Sequence, residues 1–100
     1  MSNNNQNGEV TMKAVLVTTQ HRGVFFGEVP EDQDMTARTM GLKNARCAIR
    51  WNTTKGVAEL AEEGPNEGSK VGASADIDAL HDITAVWAVT EKAREAWMAA

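Results

Sequence analysis

Residues 12–29, MKAVLVTTQHRGVFFGEV, decide the fold. Two runs rich in β-branched and aromatic residues, Met12 to Thr19 and Val24 to Val29, flank Gln20, His21, Arg22 and Gly23. That pattern predicts a β-hairpin, with Gly23 taking the positive φ of a short loop. An acidic turn, PEDQD at 30–34, follows. Met35 to Leu42 and Ala45 to Trp51 then read as a second hairpin around Lys43 and Asn44, although its first strand is poor in β-formers. In its second strand Ala45, Cys47, Ile49 and Trp51 share one face and Arg46, Ala48 and Arg50 the other, which predicts a core face and a basic face.

After Trp51 the period changes. Val57, Leu60 and Ala61 fall at i, i+3 and i+4, predicting a short helix from Thr54 to Glu63 that ends at Gly64 in the left-handed conformation, with Pro65 preventing continuation. A Gly-rich loop leads to a last strand with Ile83, Ala85, Trp87 and Val89 on one face. Thr90 caps a terminal helix whose apolar stripe is Ala93, Ala96 and Trp97. The expected fold is α+β: a small antiparallel sheet of four to five strands with a short mid-chain helix and a C-terminal helix. It forms a single domain over residues 11–100, after a disordered tail at 1–10.

Composition limits function. With 10 Lys and Arg against 14 Asp and Glu the formal charge is −4, which argues against coating long nucleic acid through an overall positive field. Cys47 is the single cysteine, so there is no internal disulfide framework and no zinc spacing. No stretch reaches the roughly 20 apolar residues of a membrane span, and the polar start lacks a hydrophobic signal region. A soluble, cytoplasmic protein needing no cofactor is expected.

Two clusters could bind a ligand. In GPNEGSK, Gly64 to Lys70, the glycines let successive N–H groups converge as a phosphate nest, with Ser69 and Lys70 adding a hydroxyl and a positive charge; the loop matches neither the P-loop nor the dinucleotide fingerprint, and a plain surface loop is the alternative. Arg46 and Arg50, with Arg22 from the first turn, could grip phosphates, and Phe25 or Trp51 could stack on a purine; the alternatives are a solvated strand face and core aromatics. Catalysis has less support. Asp76, Asp78, His81 and Asp82 read as surface residues rather than a metal cluster, His21 as an exposed turn residue, and Cys47 as a buried thiol. Asn52, Thr53 and Thr54 match a glycosylation sequon that a cytosolic protein would not use.

In order, VTTQHRGVFFGEV, LKNARCAIRW, GVAELAEEGPNEGSKVG, ITAVWAVT and the terminal A...W helix resemble the small phage proteins of the Thoeris anti-defence sponge family, over roughly residues 13 to 97. The most distinctive pieces are HRGVFFG, NAR...W and LA..GP. The resemblance implies non-catalytic sequestration, in the cytoplasm of an infected bacterial host, of cyclic ADP-ribose-type signals such as glyco-cyclic ADP-ribose made by TIR enzymes. It also implies a homo-oligomer, typically a hexamer, with uptake of cyclic oligonucleotides at a separate site in some members. By position it makes Gly64, Pro65, Asn66, Gly68, Ser69 and Lys70 the first candidates for ligand contact, with Arg22, Phe25 and Arg46 next; Trp51 remains a candidate stacking surface. Two other classes stay open: an acidic inhibitor of a host protein, and a small hydrolase of nucleotide signals using His21 or the His81 cluster.

Overall fold

A computed structural model describes residues 11–20, 23–51 and 56–100. The expectations for the tail at 1–10, for His21 and Arg22, and for Asn52, Thr53 and Thr54 lie outside the described residues. The elements are β1 (Met12–Thr19), β2 (Val24–Pro30), β3 (Met40–Arg50), α1 (Val57–Glu62), β4 (Lys70–Val71), β5 (Ala75–Leu80), β6 (Ile83–Ala88) and α2 (Glu91–Ala99). The strands form one antiparallel sheet in the order β4-β3-β2-β1-β6, with β5 on the first half of β3. The fold is α+β, as expected.

The first hairpin stands as read, with Leu16 opposite Phe26 and Val17 opposite Phe25. Gly23 does not take a positive φ. Its need is close approach: a Cβ there would stand 2.6 Å from Thr19 Oγ1, which accepts a hydrogen bond from the Gly23 N–H at 3.1 Å.

The expected second hairpin is instead one long strand with a bulge. Asn44 adopts φ 52°, a conformation Asn tolerates better than most residues, and is the extra residue between the Phe26–Arg46 and Glu28–Lys43 pairs. Its N–H donates to Asp76 Oδ1 at 3.0 Å and its Nδ2 to Glu28 Oε1 at 2.8 Å. The bulge keeps Met40, Leu42 and Ala45 together on one side. Gly27 admits Leu42 beneath it, since a Cβ at Gly27 would lie 2.8 Å from the Leu42 Cβ.

Both faces of the sheet are covered. On the helix side Leu16, Val24, Phe26 and Ala48 meet Leu60, Ala61, Ala93 and Trp97. Trp97 stacks on Phe26 with ring centroids 5.4 Å apart and donates its indole N–H to the Leu60 carbonyl at 3.0 Å, so it is the anchor its spacing predicts. On the other side Val15, Val17 and Val29 meet Met40, Leu42, Ala45 and Ile83, with Phe25 and Met35 packed alongside. This double coverage overturns the expected core and basic faces of residues 45–51. Arg46 and Ala48 are buried, Cys47 is partly exposed, and Ile49 is 55% exposed. Burial raises the Cys47 thiol pKa. Ile83 likewise leaves the face of Trp87, because the β1–β6 register shifts beyond Thr18.

Helix α1 is shorter than expected, and Gly64 follows it at φ 84°, as the left-handed ending requires. Thr90 caps α2, its Oγ1 accepting from the Ala93 N–H at 3.1 Å while donating to the Glu62 carbonyl at 2.6 Å. One hydroxyl thereby starts α2 and fastens it to the end of α1.

Candidate functional site

The GPNEGSK loop packs beside the last turn of α2, where Pro65, Asn66 and Ser69 share a shallow cavity of about 360 Å³ with Val71 and Ala96. It is not a phosphate nest. Asn66 Oδ1 accepts from the Gly68 N–H at 3.1 Å and from Ser69 Oγ at 2.9 Å. The Ser69 N–H donates to the Asn66 carbonyl and the Gly72 N–H to the Cys47 carbonyl, at 3.0 and 2.8 Å. Amides that would have faced an anion are turned inward, because an Asn side chain competes for the N–H groups that follow it. Gly64 is buried, and a Cβ there would stand 2.6 Å from the Ala96 Cβ; its freedom serves the packing of α2. Helix α2 also presents its carbonyl end here, the wrong pole for a phosphate.

Arg46 is fully engaged inside the fold. It is 8% exposed, and Nε, Nη1 and Nη2 donate to the carbonyls of Gly72, Trp97 and Ala100 at 2.6, 3.0 and 2.6 Å. Helix α2 carries no basic residue in its own last turn; the sheet supplies the cation that complements its dipole. Phe25 belongs to the core opposite the helices, whereas Trp51 packs against the helix-side core, so the two do not form one stacking platform with the loop. Arg22 lies outside the described residues.

The structure does bring two other cations together. In the β3–β4 pair Arg50 stands directly opposite Lys70. Both are exposed, and among the described residues neither has a carboxylate within ion-pair distance. Like charges facing across antiparallel strands repel. The pair adjoins Ser69 and Trp51 in the chain, at the edge of the sheet that the sequence singled out. Sequence reading named both Lys70 and Arg50 as phosphate candidates, in separate clusters; only the register reveals that they meet.

The acidic candidates resolve into local structure. Asp76 accepts from the Asn44 N–H, which chiefly lowers its pKa, and lies 3.5 Å from Lys43. His81 Nδ1 pairs with Thr39 Oγ1 at 3.1 Å, and Asp82 takes φ 59° between β5 and β6. In PEDQD, Asp34 accepts from the Thr36 hydroxyl and N–H, in that order the causes of its lowered pKa. Among the described residues no group of three His, Cys, Asp or Glu could hold a metal ion, and no helix is long and apolar enough to cross a membrane.

At the opposite edge of the sheet, where β6 ends and α2 begins, lies a cleft of about 480 Å³ bordered by Lys13, Val15, Met35, Val86, Trp87 and Arg94. Sequence reading missed it, since Trp87 in an alternating strand reads as core.

Fold and surface together define a small α+β domain with two cation-bearing edges. Residues 12–97 match DUF6948, described as a domain of unknown function, and the chain belongs to that family. No curated protein and no solved structure matches the chain.

Proposed function

We propose that this protein is a non-catalytic binder of a small nucleotide anion, a sponge for cyclic ADP-ribose-type signals as the sequence resemblance implies. The observation that carries the reading is the Arg50–Lys70 pair. Two cations held opposite one another with no carboxylate at ion-pair distance among the described residues weaken the sheet edge, and a phosphate between them would turn that repulsion into attraction. The pair takes over the role first expected of Arg46 and of the loop amides, while Lys70 keeps its own. Arg50 and Lys70 are exposed in one chain, and a homo-oligomer, hexameric by the resemblance, would seclude them and strengthen their electrostatics.

The test is a titration with cyclic ADP-ribose isomers, followed by heating and chromatography of what is released. Intact ligand recovered from saturable binding is the expected result. An altered ligand would instead indicate a hydrolase, and no binding would favour a protein partner. Arg50→Glu sharpens the test by creating an opposite-charge pair with Lys70. It should stabilise the edge by about 0.5–1 kcal/mol, a rise of about 2–8 °C in Tm, while abolishing nucleotide binding. A variant that gains stability and binds undiminished would remove the pair from the site.

A further inference from the structure

We infer that the outer edge of β6 is an interface at which a second copy of this chain pairs antiparallel, continuing the sheet across a two-fold axis. The edge lies at the far side of the sheet from the Arg50–Lys70 pair, so the inference does not rest on the nucleotide reading.

A border strand presents a row of unpaired backbone groups, and proteins guard it by shortness, charge or proline. Strands β4 and β5 each pair with β3 alone and are guarded: β4 is two residues long and carries Lys70, and β5 carries Asp76 and Asp78. Strand β6, ITAVWA at 83–88, has neither charge nor proline and pairs only with β1. At its start the Ile83 N–H donates to the Arg38 carbonyl at 3.1 Å. From 84 to 88, among the described residues, no backbone bond reaches the side away from β1. Alternate residues of that run therefore turn an N–H and a C=O outward. Cavities of about 480 and 500 Å³ share Met35 and Val86 and together border residues 83–89, so a groove follows the open edge along its length.

Charge at the two ends of the edge specifies a copy of the same strand. Arg38 and Asp82 stand at the start of β6. Lys13 stands just past its finish, because it lies two residues beyond Val15, which faces Ala88; Glu91 and Arg94 border the cleft there too. Arg94 is held by Glu28 and Glu91, whereas Lys13, Arg38 and Asp82 have no ion-pair partner among the described residues. Antiparallel pairing of two copies turns the start of each edge toward the finish of the other, so Asp82 approaches Lys13 and Arg38 approaches Glu91, twice over. A two-fold axis perpendicular to the sheet at the middle of the open run places Val86 opposite its own counterpart and Ala85 opposite Trp87. The apolar contact then falls on the axis, with Val86 of both copies beside Met35, and the outward backbone groups find partners in each other.

Sedimentation velocity of the whole chain should give a mass at least twice the 10.8 kDa of one copy. Val86→Lys and Val86→Glu each set like charges face to face on the axis and should each weaken association about tenfold or more. Mixing the two variants should restore it, since lysine then faces glutamate, and that recovery also shows that both are folded. Hydrogen exchange reads the pairing directly: alternate amides within 84–88 should be protected in the assembled parent and exchange freely in Val86→Lys. Arg50→Glu should leave the mass unchanged while abolishing nucleotide binding, which keeps failure of this proposal distinct from failure of the nucleotide reading. A parent that sediments as a monomer, a Val86→Lys chain that associates undiminished, or a folded mixture that stays apart would overturn the proposal. Where either variant fails to fold, the parent decides: free exchange of every amide from 84 to 88 in the assembled protein would overturn it as well.

Discussion

Replacing Arg46 with Met tests whether this arginine belongs to the fold or to a ligand. The change keeps most of the apolar stem and removes the guanidinium, whose nitrogens hold the Gly72, Trp97 and Ala100 carbonyls at 2.6, 3.0 and 2.6 Å. Each charge-assisted hydrogen bond is worth about 1.5–3 kcal/mol net, but the three share one group and do not add. The exposed Ala100 carbonyl can regain water, whereas the Trp97 carbonyl, bonded in a buried setting, regains less. Loss of a partly buried cation at a helix C-terminus accounts for up to about 2 kcal/mol. The sum is about 3 kcal/mol, a large share of the stability of a small domain, and corresponds to a fall of about 12–24 °C in Tm. Thermal unfolding followed by circular dichroism measures it. Arg46→Lys should recover less than half, because one ammonium cannot span three carbonyls in fixed directions. A Met variant that melts like the parent would refute the clasp and return Arg46 to the list of groups free to bind a ligand.

Two further outcomes rest on single positions. Gly64→Ala should cost about 3 kcal/mol, combining a left-handed backbone with overlap against Ala96; a loss of only about 1 kcal/mol in urea unfolding, the backbone cost alone, would show that packing against α2 is not what restricts Gly64. Asp76→Asn should destabilise the protein near neutral pH and lose that effect in acid. The folded-state pKa of Asp76 is lowered, chiefly by the Asn44 N–H, so its contribution is present above the ordinary carboxylate range and disappears as pH falls from that range through the lower folded value. A gap in Tm between variant and parent that does not change over that interval would count against the Asn44–Asp76 bond.

What the sequence shows and hides divides by range of interaction. The first hairpin is legible because alternation and turn lie within 18 consecutive residues, and both helix ends are legible because Gly64 and Thr90 act on their immediate neighbours. Lys43 and Asn44 mislead for a physical reason. The left-handed conformation that makes Asn a turn former also makes it a bulge former, and what selects the bulge is Asp76, 32 residues away. Arg46 misleads in the same manner, since alternation places a charge outward unless something within reaches for it, and its acceptors lie 26 to 54 residues along the chain. The loop is the exception. Asn66 followed by Gly68 and Ser69 is local Asx-turn chemistry, and its competition for the amides is present in the sequence itself.

Those cases separate two kinds of departure from local rules. A buried guanidinium without an acidic side chain beside it breaks an ordinary expectation, yet at Arg46 three backbone oxygens and a helix dipole compensate it within the fold. A positive φ at a non-glycine residue breaks another, and at Asn44 hydrogen bonds to Asp76 and Glu28 compensate that. The Arg50–Lys70 repulsion and the unpaired Trp87 indole have no compensation among the described residues. Natural proteins tend to keep such uncompensated departures where something outside the folded chain supplies the missing partner. An oxyanion would relieve the first. The Arg50–Lys70 edge therefore predicts that the free protein becomes more stable when one cation is reversed, by Arg50→Glu, while nucleotide binding is lost.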